Sequence, residues 1–290
     1  MGFKSLEEIV ALSLRKDLEF WEIIQQEDVN ERSVSTKDSF EKMKLLYDSM
    51  KHADSHYDGT LKSASGLVGG DGEKMQNALD EKKLIGGDFI NEVITKALKM
   101  NESNACMKKI VAAPTAGSCG VLPAVLLTYE ETYGEKEEQM VKALYVASGV
   151  GQVIAARASL SGAIGGCQAE IGSASAMAAA ALTFLMGGNN QAIIHAAGIA
   201  LKNLLGLVCD PVAGLVEVPC VKRNVVGAMN AIASANMGIA GIVSQIPPDE
   251  VVDAMRSIGE AMHSSLRETG EGGLAGTKTG QELMANIMAE

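Results

Sequence analysis

The stretch SASAMAAAALTFLMGG, residues 173–188, decides the fold class. It has no charged residue and consists mostly of alanine with serine, methionine and leucine, so a helix built from it is apolar on most sides. Such a helix is buried among other elements, and its small side chains let neighbouring backbones approach closely. The run is too short and too rich in alanine to predict a membrane span. It therefore predicts a central helix enclosed by other helices.

The segments on both sides of this run also predict helices, because their apolar residues recur at spacings of three and four. Ser5 and Glu8 have the spacing of a capping box, Asp88 suits an N-cap, and Pro248 stands at a first-turn position. Period-two strand patterns are nearly absent, and aromatic residues make up only 4% of the chain. We therefore predict an all-α fold, a single helical domain over residues 1–290 with peripheral helices at roughly 1–56.

The composition excludes several classes of protein. A chain of 290 residues that is 47% hydrophobic and 21% charged is typical of a soluble globular protein. Its net charge of −11, with lysine and arginine interspersed among acids, argues against a nucleic-acid surface. The N-terminal stretch carries acidic residues where an export signal would be cationic, which favours a cytoplasmic protein that has no membrane contact. Its five cysteines are then expected to be thiols, metal ligands or core residues rather than disulfides.

Glycine-rich breaks separate the predicted helices. Turns of this kind before a helix expose backbone N–H groups that can hold an anion. Plain interhelical loops have a similar composition, so each break taken alone leaves the binding and the structural interpretation open. The breaks lie at residues 61–72, 113–120, 159–172, 206–220 and 267–280.

Three cysteines lie in these breaks. Cys167 follows two glycines, and Cys209 and Cys220 bracket the loop GLVCDPVAGLVEVPC (206–220), where Asp210 and Glu217 are the only other ionisable residues. A structural zinc site usually needs four ligands and short C-x-x-C spacings, which are missing. A cubane iron–sulfur cluster with three thiolates and one open iron fits better, although cysteine is also a common core residue. The structural interpretation is kept for the other two cysteines, Cys106 and Cys119, and for the four histidines.

Several segments resemble one known family. They are SASGLVGGDG (63–72), PTAGSCGVLPAVL (114–126), SGAIGGCQAEIGSASAMAAAAL (161–182), CDPVAGLVEVPCVKRN (209–224) and LRETGEGGLA (266–275). The chain is thereby identified as similar to the iron–sulfur-dependent L-serine dehydratases, specifically the α chain of the two-chain type. The resemblance implies an L-serine ammonia-lyase of amino-acid degradation and gluconeogenesis that forms pyruvate and ammonia with a [4Fe–4S] cluster and without pyridoxal phosphate. It also implies a separate β chain as partner and leaves a higher oligomer open.

The resemblance also carries over to individual positions. It implies that the cluster ligands are Cys167, Cys209 and Cys220, and that substrate-binding positions are Ser63, Ser65, Gly66, Thr115, Ala116, Gly117 and Ser118. Arg223 is a further candidate for binding a substrate carboxylate, with a helix-capping or structural ion-pair role as the alternative. In single-chain relatives a cysteine near the C-terminus can occupy the fourth iron. No cysteine follows Cys220 here, which leaves the ligand of that iron open.

The elimination would use the open iron as a Lewis acid on the substrate hydroxyl and a general base for the α-proton. The base is left unassigned: the nominal candidates are Lys62, Glu170, His195 and Lys222, and for each the structural interpretation is favoured. Two other functions are kept as alternatives, a non-catalytic helical subunit with a structural or redox cluster and another open-iron hydro-lyase that acts on a hydroxy acid. For the β chain, the apolar N-terminal group Phe20, Trp21, Ile23 and Ile24 is a candidate docking face, although packing on the chain's own core is the commoner role of such residues.

Overall fold

The computed structural model describes residues 2–289, and within that range it contains thirteen α-helices and no β-strand. The prediction of an all-α fold is therefore confirmed. Short 3-10 turns lie at Ala116–Ser118, Val212–Gly214 and Ser264–Leu266, and a π-helical turn at Gln168–Gly172. The helices are α1 (Leu6–Lys16), α2 (Phe20–Arg32), α3 (Thr36–Ser55), α4 (Asp71–Asp80), α5 (Gly87–Ala105), α6 (Val121–Tyr133), α7 (Glu137–Arg157), α8 (Gly162–Gly165), α9 (Ser173–Leu185), α10 (Asn190–Lys202), α11 (Cys220–Ile239), α12 (Pro248–Ala261) and α13 (Lys278–Ala289).

Helix α9 is the centre of the molecule. Every residue from Ser173 to Thr183 is buried, and α9 packs against α6, α7, α10 and α11. Alanine supplies most of this surface, so the neighbouring helices come close without voids. Among the described residues, no helix combines the length and the apolar character needed to cross a membrane. The alanine-rich run is thus a core helix, as its composition predicts.

Glycine and serine residues let α9 and the helices around it pack with their backbones close together. The Ser175 hydroxyl donates a hydrogen bond to the Gly227 carbonyl of α11 at 2.8 Å. A Cβ at Gly227 would lie 2.9 Å from side-chain carbons of both Ile171 and Val121. On α7, a Cβ at Gly149 would lie only 2.3 Å from Cδ1 of Ile24 on α2. Close packing at these two positions therefore depends on the missing side chain.

The contact at Gly149 predicts a stability effect. Gly149→Ala should lower the free energy of unfolding by about 1–3 kcal/mol, because the added methyl group overlaps a buried Ile24. Ile24→Ala should itself cost about 2–5 kcal/mol by leaving a cavity. In the double variant, the side chain that clashes with the added methyl group is gone. The double variant should therefore lose less stability than the two single variants together, by about 1 kcal/mol or more. Urea unfolding of the unmodified protein, the two single variants and the double variant measures this difference. Strictly additive losses of unfolding free energy would contradict the proposed overlap.

The sequence-based helix ends are mostly correct. Ser5 is the N-cap of α1 and accepts a hydrogen bond from the Glu8 backbone at 3.0 Å. Pro248 is the first residue of α12, and Cys220 is the first residue of α11. Asp88 is not a cap: α5 begins one residue earlier, after Gly86, whose φ of 97° lies in the left-handed region that favours glycine. Backbone geometry, which composition does not reveal, sets this boundary.

The N-terminal helices belong to the same core as the rest of the chain. Phe20, Ile23 and Ile24 are buried in the main hydrophobic cluster, and Trp21 is partly buried against it, since α2 packs along α7 and α3. The prediction that this group forms a docking face for a partner is wrong. The alternative, packing on the chain's own core, is what the structure has, because α7 covers the apolar face of α2.

Candidate functional site

Cys167, Cys209 and Cys220 come together at one end of α9. Cys167 lies between α8 and the π-helical turn, Cys209 lies in the loop that follows α10, and Cys220 begins α11. All three side chains are buried. Burial raises the pKa of Cys167 to about 11 and that of Cys220 to about 12, and it also raises the pKa of Cys209. A negative charge on Cys167 raises the pKa of the other two further, so the three sulfurs lie within electrostatic range of one another.

Gln168 joins the segments that carry two of these cysteines. Its backbone N–H donates to the Leu207 carbonyl at 3.0 Å, and its Oε1 accepts from the Gly206 N–H at 2.9 Å. On its other side, Nε2 donates to the Met255 carbonyl of α12 at 3.0 Å. The side chain of Gln168 is fully buried. It therefore fixes the position of Cys167 relative to the loop that carries Cys209.

The remaining cysteines stand apart from this group. Cys119 is buried, with its sulfur 3.8 Å from the Met100 carbonyl, and burial raises its pKa to about 12. Cys106 caps the end of α5, where burial and the neighbouring Glu102 raise its pKa. The structural interpretation of these two cysteines agrees with their positions.

Glu170 carries a carboxylate toward the three cysteines. It lies in the π-helical turn that follows Cys167, and turns of this kind are frequent at functional sites. A Cβ at Gly162 would lie 2.8 Å from Glu170 Oε2 and 3.0 Å from the sulfur of Cys209, so both atoms face the same glycine. Burial raises the pKa of the Glu170 carboxyl. Sequence reasoning named Glu170 only as one nominal base among four, and the structure places it beside the thiols.

The segment from Thr115 to Ser118 lies on the other side of Glu170. The Thr115 hydroxyl donates to Glu170 Oε1 at 2.8 Å and lies 3.0 Å from the Ser118 hydroxyl. A Cβ at Gly117 would lie 3.2 Å from the same Glu170 oxygen. Asn224 and Asn104 fix the backbone of this turn by donating to the carbonyls of Gly117 and Ala116 at 2.8 and 3.2 Å. The Thr115 hydroxyl and the backbone of Gly117 thus both lie next to the Glu170 carboxylate.

The segment with Ser63, Ser65 and Gly66 contacts the cysteine loop through Glu217. Both serine hydroxyls donate to Glu217 Oε2, that of Ser63 at 2.9 Å. Gly66 has a φ of 74° and ends the turn that contains the two serines, with its N–H donating to the Ser63 carbonyl at 2.9 Å. Glu217 is only 7% exposed, and no lysine, arginine or histidine of the described residues forms an ion pair with it. Sequence reasoning missed Glu217 as a site residue, although an ionisable residue in an apolar loop was the signal.

The Arg223 guanidinium binds other groups of the protein. Its Nη1 donates to the Val208 carbonyl at 2.8 Å, and its Nη2 pairs with Asp210 Oδ1 at 2.8 Å. The positive charge of the guanidinium lowers the pKa of the Cys167 thiol against the effect of burial. Asp210 was not predicted as a site residue. It connects Arg223 to the glycine-rich segment 267–280, because its Oδ2 accepts from the Leu274 N–H at 2.8 Å.

The other three candidate bases either lie away from the cysteines or are bound to other groups of the protein. The Lys62 ammonium donates to the Gly69 carbonyl, and the Lys222 ammonium, 71% exposed, pairs with Asp71 at 2.9 Å. His195 lines a cavity of 560 Å³ at the far end of α11, where its Nδ1 accepts from the Ser244 N–H at 3.3 Å. Among the four candidates, Glu170 is the one whose carboxylate faces the thiols.

Comparison with known proteins gives the family of this chain. A model of the family "Serine dehydratase alpha chain" matches residues 15–275. The chain is 45% identical over 285 residues to the probable L-serine dehydratase, alpha chain, of Bacillus subtilis (strain 168), covering 98% of this chain and 95% of that protein. It is 40% identical over 285 residues to the L-serine dehydratase, alpha chain, of Peptoniphilus asaccharolyticus, covering 98% and 97%. L-serine dehydratase 2 of Escherichia coli (strain K12) is 42% identical over 190 residues, 65% of this chain and 41% of that longer protein. By family match and by near full-length similarity, this chain belongs to the serine dehydratase alpha chain family.

Proposed function

We propose that this chain is the cluster-bearing α subunit of an L-serine dehydratase, which removes water from L-serine so that the released enamine hydrolyses to pyruvate and ammonia. The observation that carries the proposal is the position of Glu170. Its carboxylate lies between the buried cysteines and the hydroxyl-bearing turn at Thr115. A group that can accept a proton therefore borders both a set of soft metal ligands and a polar binding surface.

The residues present fit a [4Fe–4S] cluster without pyridoxal phosphate. Within residues 2–289, no three histidine, cysteine, aspartate or glutamate side chains are arranged to hold a single metal ion. The three thiols nevertheless lie within electrostatic range of one another and are shielded from water. Three thiols from three separate segments suit a cluster, in which each ligand binds a different iron. When bound, such a cluster supplies an open iron that acts as a Lewis acid on the substrate hydroxyl.

The side chains around the cysteines would bind and deprotonate the substrate. The hydroxyls of Thr115 and Ser118, which lie in the same short turn as Gly117, can donate hydrogen bonds to the L-serine carboxylate. On the opposite side, Ser63 and Ser65 orient Glu217, whose buried negative charge is complementary to the substrate ammonium group. Glu170 takes the α-proton, because it is the candidate base that faces the thiols.

Oxygen-free reconstitution of the chain with iron and sulfide, in the presence of its β chain, tests this function. Pyruvate should form from L-serine, and L-threonine and simple 2-hydroxy acids should be assayed in parallel. Dehydration of a hydroxy acid with no reaction of L-serine would indicate a different open-iron hydro-lyase. A cluster that forms but supports no turnover of any of these compounds would indicate a structural or redox subunit. Both outcomes would overturn the proposal.

The requirement for a β chain is a separate expectation. The two relatives with near full-length similarity are both named as alpha chains, which supports a two-chain enzyme. We expect the isolated chain to bind a cluster but to have low or unstable activity that the β chain restores. Pyruvate formation and particle size should be measured for the isolated chain and for the mixture. Full and stable turnover by the isolated chain, unchanged when the β chain is added, would contradict this expectation.

A further inference from the structure

We propose that Arg223 is a positioning residue for the cluster, one that fixes the segment around Cys209 by binding the residues on both sides of that cysteine. The inference rests on the proposed function, since it requires that Cys209 binds the cluster. It assigns Arg223 a role different from binding the substrate carboxylate.

The orientation of the guanidinium is determined by protein groups on both sides of Cys209. Nη1 donates to the carbonyl of Val208, and Nη2 pairs with the carboxylate of Asp210, each at 2.8 Å. Val208 and Asp210 are the two neighbours of Cys209 in the chain. The Arg223 and Asp210 side chains are 16% and 5% exposed. A planar guanidinium bound at two of its corners can present its remaining donors in one direction only.

Arg223 itself lies three residues beyond Cys220, on the first turn of α11. It is therefore bound to both neighbours of Cys209 from the helix that begins with Cys220. Its positive charge also lies within electrostatic range of the Cys167 thiol. A single side chain thus joins the segments of Cys209 and Cys220 and places a positive charge near the third cysteine.

Asp210 is not free to release the guanidinium to a substrate. Its second oxygen, Oδ2, accepts a hydrogen bond from the Leu274 N–H at 2.8 Å. A Cβ at Gly273 would lie 2.4 Å from this same oxygen, so the backbone of segment 267–280 lies directly against it. If Arg223 turned toward a substrate carboxylate, the buried Asp210 would lose its cation, which is unfavourable. The ion pair is therefore a fixed part of the site.

Two effects on the cluster follow from this geometry. A nearby positive charge stabilises the more negative, reduced state of an iron–sulfur cluster. The contacts of Arg223 with Val208 and Asp210 also restrain Cys209 in the position from which it would bind iron. Loss of the guanidinium should therefore lower the reduction potential and speed the release of iron.

The test compares Arg223→Met, Arg223→Lys and Asp210→Asn with Lys222→Met in oxygen-free preparations of the chain with its β chain. Lys222→Met is a matched control, because it removes a positive charge from the adjacent position, where the side chain is 71% exposed. Three quantities are measured: the rate at which an iron chelator bleaches the cluster absorbance, the midpoint of a reductive dye titration, and the KM for L-serine. Circular dichroism checks that each variant is folded.

We expect Arg223→Met and Asp210→Asn to lose iron about 10- to 100-fold faster, the range typical for an outer-shell partner of a metal ligand, and to reduce at a lower potential. Arg223→Lys, which keeps the charge but not the planar arrangement of donors, should be intermediate, and Lys222→Met should match the unmodified protein. If Arg223→Met instead raises the KM while iron release and potential stay unchanged, Arg223 binds the substrate and the inference is wrong. If Arg223→Met does not fold, iron loss in Arg223→Lys and Asp210→Asn at the rate of the unmodified protein would overturn it equally. An unmodified protein that forms no cluster would refute the proposed function itself.

Discussion

Replacement of Cys167, Cys209 or Cys220 by alanine is expected to abolish both the cluster and pyruvate formation from L-serine. The three sulfurs are buried within electrostatic range of one another, and a cluster with three protein ligands cannot be held by two. Each variant purified without oxygen should lack the brown colour and the visible absorbance expected of the unmodified protein, and its iron and sulfide content should fall to background.

Cys106→Ala and Cys119→Ala are the matched controls. Cys106 ends α5, and the sulfur of Cys119 lies against the Met100 carbonyl of the same helix, so both variants should keep the full iron and sulfide content. Cys119→Ala also removes a buried sulfur and should lower the melting temperature slightly without loss of the cluster. Loss of the cluster in Cys106→Ala, or its retention in any one of the three ligand variants, would show that the proposed ligand set is wrong.

The second large effect is expected for Glu170→Gln, which should lower kcat by about 10²- to 10⁴-fold, the usual contribution of a general base. The amide keeps the size of the side chain and can still accept the hydrogen bond from Thr115. It cannot take up the α-proton. The cluster absorbance should therefore be unchanged and the KM for L-serine should move far less than kcat. The ratio of the turnover rates of ordinary and α-deuterated L-serine shows whether removal of the α-proton has become slower relative to the other steps.

Glu260→Gln, on the exposed surface of α12, controls for the loss of one negative charge. It should leave kcat unchanged. If Glu170→Gln keeps more than half of the activity while the cluster is intact, the base is another group. If the cluster is lost, Glu170 acts mainly in the local fold of the π-helical turn.

Several features of the fold could be predicted from the sequence because they depend on local patterns. Apolar spacing of three and four residues, with almost no period-two pattern, predicts helices, and the alanine-rich run predicts the buried α9. Proline marks the start of two helices. Pro219 immediately precedes α11, which begins at Cys220, and Pro248 is the first residue of α12. The assignment of the cluster ligands came from resemblance to a family, and the spacing of the cysteines by itself left a core role open.

The tertiary structure decided which side chains meet. An amphipathic pattern indicates which face of α2 is apolar but not what covers it, and α7 covers it. Glu170 could be singled out as the proposed base only from contacts such as the hydrogen bond from Thr115, which is 55 residues away in the chain. The Arg223 guanidinium, equally suited by its chemistry to a substrate carboxylate, is paired with Asp210 instead. Side-chain chemistry and periodicity are local properties of a sequence, whereas these contacts depend on how whole helices pack, which brings together residues far apart in the chain.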